Sequence, residues 1–561
     1  MDCILIEFDL ETVDFNERGF IMTLRLHDVE VPVSELSGRA YLAKQVANLL
    51  EIPEANIRAL KINKKSLDAR RKARIVYHYQ VDVDLIDEDI VYSKNSAIAS
   101  IADPQAPSDP LAGLSLGTLN FRHRPVIIGS GPSGIFTGLT MALAGQPSII
   151  VERGEPVEKR IRTTNKLRSR GIFTPESNYC FGEGGAGTFS DGKLTCGRNH
   201  PLIRHVFDQF VNYGAPEEIQ YDAKPHIGTD FLIQIAKNMR THLQKSGCDF
   251  HFGRRFVDFK DGGKNAKYLV VLDDGTEIPT DHLIVAVGHS ARDTYEMLLE
   301  KGLSIVPKPF AMGARIEHPQ DVVNKIQFGS CDLLPAAEYK LAAQSGERGI
   351  WTFCMCPGGH LMPTNAQEGH LAINGMSYHA RKSGFANAAV VVNVLREDFY
   401  RGHPLDGMRF QAALEQANFK MGGSNYHSPA QRLSDFLAGR DSKGALKSTY
   451  KPGIANARLD KLLPSFISDA LRAGVKDYDK KMRGYICEEG TIVGIESKTS
   501  SPISMMRGKD LQSTSHPGIF PAGEGAGFAG GIVSAALDGV KIGRAVLENA
   551  IELARTAQLT H

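Results

Sequence analysis

Residues 126–134, VIIGSGPSG, set the pattern G-x-G-x-x-G between a short apolar run and a helix-like run. At such a junction Gly129 permits a tight turn, Gly131 lets a pyrophosphate approach the backbone, and Gly134 lets the helix lie close to the strand. The free N–H groups and the dipole at the start of the helix favour an anion. The stretch therefore predicts a dinucleotide site, which also includes Ser130, Pro132 and Ser133.

An acidic residue follows at the position that such a site requires. Glu152 ends the next apolar run, 148–151, and lies 23 residues after Gly129. A carboxylate at this place can accept hydrogen bonds from both ribose hydroxyls. We assign Glu152 and the adjacent Arg153 to the same site. The alternative is a glycine-rich turn without a nucleotide, and strand, helix and acid together disfavour it.

Two later segments favour FAD over NAD. Residues 281–288, DHLIVAVG, resemble the strand and turn that pass beneath the nucleotide in flavoproteins of the glutathione-reductase type, which assigns Val287 and Gly288. Residues 518–524, GIFPAGE, resemble the strand whose terminal acid binds the ribityl chain, here Gly523 and Glu524 instead of Gly-Asp. The next residues open a helix whose positive end would face the flavin ring. We assign Gly530, Gly531 and Ile532 to that end.

A further glycine-rich segment, 181–193, has five glycines in thirteen positions. Backbone of this composition can pass close to a planar ring or a pyrophosphate. Lys193 or Ser190 could donate a hydrogen bond to the flavin ring. The alternative is a flexible surface loop, which the interleaved phenylalanines disfavour. The segment adds these residues to the cofactor site: Gly184, Gly185, Gly187, Thr188, Ser190 and Lys193, and we add Phe256 and Val257 from a later strand.

Length and pattern indicate several domains. The chain has 561 residues, 42% hydrophobic and 23% charged, which is typical of a globular protein too long for one core. We expect an N-terminal α+β domain of ββαββ order at 1–100, with strands at Cys3–Leu10 and Phe20–Leu26, and a linker at 101–122. An α/β Rossmann-type FAD-binding domain would comprise 123–302 and 501–561. An α+β substrate domain would be inserted at 303–500.

Charge and cysteine usage exclude some classes of partner and suggest a location. The formal net charge is +1, so the chain has no global attraction to nucleic acid or membrane. No run of 18 apolar residues and no signal-peptide pattern occurs. Eight cysteines are spread along the chain without a C-x-x-C pair. These features predict a cytoplasmic protein with reduced thiols.

Several motifs resemble a known family. They are KKSLDARRK at 64–72, FGEGGAGTFSDGKL at 181–194, CPGG at 356–359, ESKTSSPI at 496–503 and PAGEGAGFAGGI at 521–532. Together they resemble the uncharacterised FAD-dependent dehydrogenases of bacteria. The resemblance implies an FAD fold over nearly the whole chain and does not supply a substrate.

The reaction is predicted from the nucleotide-binding motif that the chain contains and from the second nucleotide-binding unit that it lacks. It shows no complete second Rossmann unit for NAD(P)H, so it resembles flavoproteins with one Rossmann domain and a substrate-domain insertion, such as fumarate reductases. We expect hydride transfer between a small organic substrate and the flavin. Catalytic candidates are His360, Tyr378, Arg381 and Lys193, although each could be an ordinary hydrogen-bonded residue. We expect no metal site, and neither a redox nor a metal role for Cys354 and Cys356.

Two alternatives stay open at this point. The run 61–74 carries seven positive charges and one acid, so a flavoprotein that binds or modifies RNA is possible, although a solvated face is favoured. The other alternative is a flavin-bound sensor without turnover. The sequence identifies no external electron donor or acceptor and gives no sign of a membrane partner.

Overall fold

The computed structural model describes residues 23–35, 39–86, 91–92, 95, 98–102, 108–117, 119–197, 199–329 and 333–559. The chain divides into two compact units, Met1–Ala106 with Tyr221–Ala223, and Pro107–Gln220 with Lys224–His561. Among the helices of the described residues, none combines the length and the hydropathy that crossing a lipid bilayer requires.

The described residues of the first unit include a four-stranded antiparallel sheet and the helix that packs against it. Its elements are β1 (Leu24–Pro32), α1 (Arg39–Leu50), β2 (Ile57–Asp68), β3 (Val76–Leu85) and β4 (Ala99–Ile101), and the sheet order is β2-β3-β1-β4. Leu42 and Val46 of α1 belong to the same buried cluster as Leu24 and Val81 of the sheet. The strand predicted at Cys3–Leu10 lies outside the described residues. The second predicted strand, Phe20–Leu26, is described from Leu24 and continues to Pro32.

The second unit contains the remaining elements. Its strands are β5 (Val126–Ile128), β6 (Ile149–Glu152), β7 (Asp249–Phe252), β8 (Phe256–Asp261), β9 (Tyr268–Leu272), β10 (Glu277–Thr280), β11 (Leu283–Val285), β12 (Ile305–Pro307), β13 (Phe310–Pro319), β14 (Ala342–Ser345), β15 (Arg348–Cys356), β16 (His360–Pro363), β17 (Ile373–Met376), β18 (Phe385–Val394), β19 (Ser428–Arg432), β20 (Ile454–Asn456), β21 (Thr491–Glu496), β22 (Ile503–Met505) and β23 (Ile519–Pro521). Its helices are α2 (Pro132–Leu143), α3 (Val157–Arg170), α4 (Leu202–Asn212), α5 (Thr229–Lys245), α6 (Arg292–Glu300), α7 (Gln320–Phe328), α8 (Arg396–Phe399), α9 (Asp406–Met421), α10 (Leu433–Ala438), α11 (Leu459–Leu462), α12 (Ser465–Lys481) and α13 (Ile532–Leu559).

A five-stranded parallel sheet forms the Rossmann part of this unit. Its order is β23-β11-β5-β6-β7, so β11 and β23, which are more than 200 residues apart in sequence, are neighbours. Strands β5, β11 and β23 are apolar and buried along their whole length, as expected for a parallel sheet that is covered on both faces. Because the carboxyl ends of all five strands lie at one edge, the turns that follow β5, β11 and β23 meet there.

The chain between these strands adds a second, larger sheet. Its order is β14-β15-β18-β13-β21-β19-β20, and all its pairs are antiparallel except β19 with β20. Strands β13 and β18 are almost entirely buried. The other strands form a hairpin of β16 and β17, an antiparallel pair of β12 and β22, and a three-stranded sheet of β8, β9 and β10.

Candidate functional site

The turn between β5 and α2 is fixed by very close backbone approaches. Gly129 has a φ of 104°, and a Cβ on it would lie 2.3 Å from the carbonyl oxygen of Ala286 in the turn after β11. A Cβ on Gly134 would lie 2.0 Å from the carbonyl oxygen of Gly129. No side chain fits at either position, so these glycines hold the strand, the turn and the helix together. The first N–H groups of α2 have no partner within the helix and lie at this turn.

The glycine-rich segment that follows β6 lies against the same turn. The Gly184 N–H donates to the carbonyl oxygen of Ser130 at 3.0 Å. A Cβ on Gly131 would lie 3.8 Å from the Cα of Gly185, and one on Gly187 would lie 3.2 Å from Ile532 at the start of α13. Three segments that are distant in sequence therefore converge. Segment 181–193 is therefore packed against other parts of the protein, and the alternative of a surface loop is wrong.

Arg160 of α3 holds the glycine-rich segment in shape. Its side chain is completely buried and donates to four backbone carbonyl oxygens, those of Asn178 (2.9 Å), Gly182 (3.2 Å), Glu183 (2.6 Å) and Gly185 (2.8 Å). Its guanidinium also lies over the Phe189 ring, 4.9 Å from the centroid. The sequence analysis did not identify Arg160, because only the fold shows that these carbonyls surround one helix position.

Glu152 is buried and accepts four hydrogen bonds from the protein. Its donors are the Ser130 N–H (3.0 Å) and hydroxyl (2.7 Å), the Gly154 N–H (2.9 Å) and the Gly182 N–H (3.1 Å). A carboxylate offers about four lone-pair positions, so the two turns already use its ordinary capacity. Glu152 thus ties the glycine turns to each other, and its contact with a ribose stays a prediction. Arg153 binds Glu176 and Asp293 and lies over the Phe181 ring.

The turn after β23 is held by a buried ion pair. Asp538 of α13 accepts the Gly523 N–H at 2.7 Å and pairs with Arg507 at 2.5 Å. A Cβ on Gly523 would lie 3.1 Å from the Oγ of Ser133, whose hydroxyl is buried and has no hydrogen-bond partner in the structure. An unsatisfied buried hydroxyl where the phosphate turn meets the ribityl turn fits an oxygen-rich ligand such as FAD.

Glu524, the predicted ribityl acid, follows this turn. Enclosure by protein raises its pKa to about 7, against the opposing effect of the Lys308 charge. Its Oε1 lies 3.8 Å from the Nε2 of His289. Next to it, the Tyr295 hydroxyl contacts the carbonyl oxygens of Gly288 and Gly525 and links the turns after β11 and β23.

A cleft of about 370 Å³ lies at the start of α13. Gly530, Gly531 and Ile532 form one wall, and Lys193, Thr195 and Lys308 are among the residues that line the rest. A Cβ on Gly530 or Gly531 would meet nothing within 4 Å. The positive end of a long helix therefore opens onto free space beside two lysines, which is an arrangement suited to an electron-accepting ring.

Lys193 belongs to a buried charge cluster centred on Asp191. Asp191 is fully buried, lies 3.4 Å from Lys193 and 2.8 Å from Arg381, and accepts the Ser377 hydroxyl. The charges of Lys193 and Arg381 lower the pKa of Asp191 to about 2 despite its burial. The Asp191 carboxylate in turn raises the pKa of Lys193. Two of the sequence candidates, Lys193 and Arg381, are thus brought together by a residue that we had not singled out.

The CPGG motif positions Arg381. Arg381 has a φ of 50°, and a Cβ on Gly358 would lie 1.7 Å from its carbonyl oxygen. The Gly358 N–H is held by the side chain of Gln320 at 2.7 Å. Because the turn passes directly over the Arg381 backbone, only glycine fits there. The motif therefore has a structural role that brings the arginine to Asp191.

The other two catalytic candidates form a separate pair. The rings of His360 and Tyr378 meet edge to face with centroids 6.2 Å apart. Burial lowers the pKa of His360 to about 4, and its Nδ1 is buried without a partner. Tyr378 is 42% exposed. No hydrogen bond or ion pair that the described residues provide joins His360 to Lys193.

The remaining cofactor candidates differ in their surroundings. Val287 and Phe181 pack in one small cluster, and Gly288, with a φ of 69°, would have free space around a Cβ. The hydroxyls of Thr188 and Ser190 donate to the nearby carbonyl oxygens of Glu183 and Gly187. Phe256 is buried in the core with Ile128 and Val151, while Val257 is partly exposed. Their contact with the cofactor stays a prediction.

The basic run 61–74 lies on β2 and the connection to β3. Three of its cations face acids of the same unit: Lys65 lies 3.9 Å from Asp222, Arg70 lies 2.5 Å from Asp68, and Arg74 pairs with Glu30. This part of the run is therefore partly neutralised.

Family models of known proteins match three parts of the chain, and two of them describe FAD-dependent or pyridine-nucleotide proteins. The family model described as FAD-dependent protein, C-terminal domain-like, matches residues 309–499. A pyridine nucleotide-disulphide oxidoreductase model matches residues 218–305, and a domain of unknown function matches residues 23–84.

Similar proteins were found among both sequences and solved structures. An uncharacterized protein of Clostridium beijerinckii is 39% identical over 540 residues, which cover 94% of this chain and 99% of that protein. The flavoprotein/dehydrogenase of Cytophaga hutchinsonii is 14% identical over 77% of this chain and 79% of its own, with a TM-score of 0.32. CtdE in complex with FAD is 10% identical over 76% and 84%, with a TM-score of 0.31. Scores this low assign no activity.

The family matches and the converging turns identify an FAD-binding Rossmann-type domain with additional domains, and the sequence-based expectation of FAD is confirmed. The expected oxidoreductase class is confirmed as well, whereas nothing in the comparisons supports the RNA or sensor alternatives. The chain belongs to the family of FAD-dependent proteins that includes the Clostridium relative, and it is an FAD-dependent oxidoreductase.

Proposed function

We propose that this oxidoreductase transfers a hydride between a small organic substrate and FAD in the cleft at the start of α13. The observation that carries the proposal is the cleft itself, in which the positive end of a 28-residue helix opens beside Lys193 and Lys308. A bound FAD supplies reversible two-electron chemistry there. The residues of the chain supply binding, orientation and charge.

Lys193 is the residue that we assign to electrostatic support of the reaction. Because Asp191 raises its pKa, Lys193 is a cation at neutral pH and donates hydrogen bonds instead of accepting a proton. A fixed cation of this kind stabilises negative charge as it develops in the reaction. Glu338 at 3.4 Å restrains the ammonium from a second side.

Asp191 and Arg381 have positioning roles in this proposal. With its pKa held at about 2, Asp191 stays ionised and cannot serve as a general acid near neutral pH. It fixes Lys193 and Arg381 on either side. His360 and Tyr378 form a second candidate group, and the neutral, unpartnered His360 Nδ1 suits a hydrogen bond to a substrate.

The test is anaerobic reduction of the FAD-loaded chain, followed by the flavin absorbance. NADH, NADPH and a panel of small organic metabolites are offered to the wild type and to Lys193→Met. We expect at least one compound to reduce the wild-type flavin, and Lys193→Met to slow that reduction on the order of 100-fold, as for other lost electrostatic donors. The variant should retain its FAD.

Lys224→Met is the matched control, because Lys224 also contacts Glu338 (2.6 Å) but is largely exposed and does not line the cleft. We expect it to react like the wild type. Equal rates for the two lysine variants would contradict the role of Lys193. Failure of every compound to reduce the wild-type flavin would contradict the proposed reaction. The cytoplasmic location that the sequence predicts stays a prediction.

A further inference from the structure

We propose that Cys354 and Cys356 form a redox-active thiol pair, which a hydroperoxide oxidises to a disulfide within the bulge at the end of β15. The two are the closest cysteines in the sequence, and all six cysteines among the described residues have free thiols. From the sequence we expected no redox role for them, because no matching cluster of histidines and cysteines is visible. The inference stands independently of the proposed hydride transfer.

The backbone brings the two thiols together. The register of β15 with β18 shifts between Phe353 and Cys356, so the strand bulges at Cys354. Cys354 has a φ of 44°, which bends the chain out of the extended conformation. In a straight strand, residues two apart are separated by about 6.6 Å. That distance is near the upper limit of about 6.8 Å between the Cα atoms of a disulfide, so a bend favours closure.

A direct contact confirms how close the two residues are. The Cys356 thiol donates to the carbonyl oxygen of Cys354 at 3.3 Å. A Cβ on the neighbouring Gly375 would lie 2.9 Å from the Cys356 sulfur and 2.3 Å from Nη1 of Arg315. The sulfur and the guanidinium thus share one small space.

Charge makes the two sulfurs unequal. Arg315 is fully buried, and its Nη1 donates to the Cys354 carbonyl oxygen at 3.1 Å. The Cys356 thiol, with help from the Arg315 and Lys193 charges, lowers the pKa of Cys354, whereas the pKa of Cys356 is raised. Cys354 is also the partly exposed member, and Cys356 is fully buried. Thiolate character and access therefore coincide at Cys354.

These differences define the order of steps. The Cys354 thiolate attacks the outer oxygen of a hydroperoxide, which forms a sulfenic acid and releases an alcohol or water. The Cys356 thiol then attacks the Cys354 sulfur, and the sulfenic hydroxyl leaves as water together with the thiol proton. In sum, two thiols lose two hydrogens and the hydroperoxide is reduced. The product is a disulfide between Cys354 and Cys356, and no other segment of the chain takes part in it.

The pair is near enough to the charge cluster to affect it. Lys193 and Asp191 both influence the Cys354 thiol electrostatically. Disulfide formation would remove the thiolate charge from the neighbourhood of Lys193. Oxidation would therefore change the electrostatic environment of Lys193, which lines one wall of the cleft.

The experiment exposes the FAD-loaded full chain to one equivalent of hydrogen peroxide, denatures it, and blocks the remaining thiols with N-ethylmaleimide. Tryptic peptide 349–381 contains only these two cysteines, and peptide 484–498 contains only Cys487, which serves as the internal reference. We expect peptide 349–381 to lose two hydrogens and both alkylation sites at least about tenfold faster than Cys487 is oxidised, because the thiolate is the reactive form.

Two variants separate the roles of the sulfurs. In Cys356→Ser, the sulfenic acid at Cys354 should persist and be trapped by dimedone. In Cys354→Ser, Cys356 should react no faster than Cys487. Full alkylation of peptide 349–381 in the oxidised wild type, or a wild-type sulfenic acid that never becomes a disulfide, would overturn the proposal. The wild-type result decides the question even if a variant fails to fold.

Discussion

Arg160 is the residue on which the shape of the glycine-rich segment depends most. The segment is almost without regular structure, so no strand or helix provides hydrogen-bond donors for the carbonyl groups around Arg160. The Arg160 guanidinium donates to them in place of water. A planar guanidinium offers five donors in a fixed fork, whereas an ammonium cannot reach the same oxygens. Charge alone therefore does not replace the arginine.

We predict that Arg160→Lys weakens FAD binding on the order of tenfold or more. One lost hydrogen bond to a charged group costs about 1.5–3 kcal/mol, and each 1.4 kcal/mol is about tenfold in affinity. The dissociation constant is measured by quenching of flavin fluorescence. Arg162→Lys, an exposed position on the same helix, is the control and should bind FAD as the wild type does. Equal affinities for the two variants would contradict the role of Arg160.

At this scale the sequence predicts the glycines well and their supporting side chains poorly. Gly129, Gly131 and Gly134 are recognisable because the turn that they require has a fixed spacing. Asp191 was visible only as part of a motif, because its importance comes from Arg381, which lies 190 residues later. Arg160 gave no signal, since its partners are backbone carbonyls that any sequence provides.

At the level of elements, the contact between α2 and α13 joins the two ends of the Rossmann part. The Thr137 hydroxyl donates to the Gly539 carbonyl oxygen at 3.0 Å. A Cβ on Gly539 would lie 2.2 Å from the Ser133 carbonyl oxygen, and one on Gly543 would lie 2.8 Å from the Cβ of Thr140. The helices thus touch backbone to backbone directly behind the phosphate turn.

We predict that Gly539→Ala lowers both the melting temperature and the affinity for FAD. Alanine in a helix interior would normally stabilise by about 0.5–1 kcal/mol. Here the added methyl meets a carbonyl oxygen, and overpacking costs about 1–3 kcal/mol, so destabilisation wins. Thermal melting with and without FAD measures it. Glu552→Ala, on the exposed side of α13, should change neither quantity, and a stabilised Gly539→Ala would refute the close contact.

Most helices and strands of the Rossmann part lie where the sequence predicts them, whereas one helix between its strands was not predicted. The alternation at Tyr268–Leu272 predicts β9 with its observed bounds, and the helix that the sequence predicts at Ser133–Ala144 begins one residue earlier as α2. The C-terminal helix, which the sequence predicts to end at about Asn549, continues ten residues further as α13. Helix α3 was missed because its buried side includes Arg160 and Thr164. A helix that buries polar side chains lacks the apolar periodicity on which sequence reading depends.

At the scale of the whole molecule, one cofactor explains why distant segments converge. The turns after β5, β11 and β23 meet at one edge of the sheet, and Arg381 of the inserted chain binds Asp191 at the end of the glycine-rich segment. The topology of the inserted seven-stranded sheet could not be predicted, because its neighbours pair across long sequence separations.

FAD titration of the purified full chain, stripped of bound ligand, tests this account most directly. The absorbance and fluorescence of the flavin give the stoichiometry, and the same titration is made with Gly131→Val, which puts a branched side chain where the pyrophosphate should approach. We expect one FAD per wild-type chain and greatly weakened binding by the variant, with melting of the ligand-free proteins little changed. A wild-type chain that stays colourless in excess FAD, or a variant that binds FAD equally well, would contradict it.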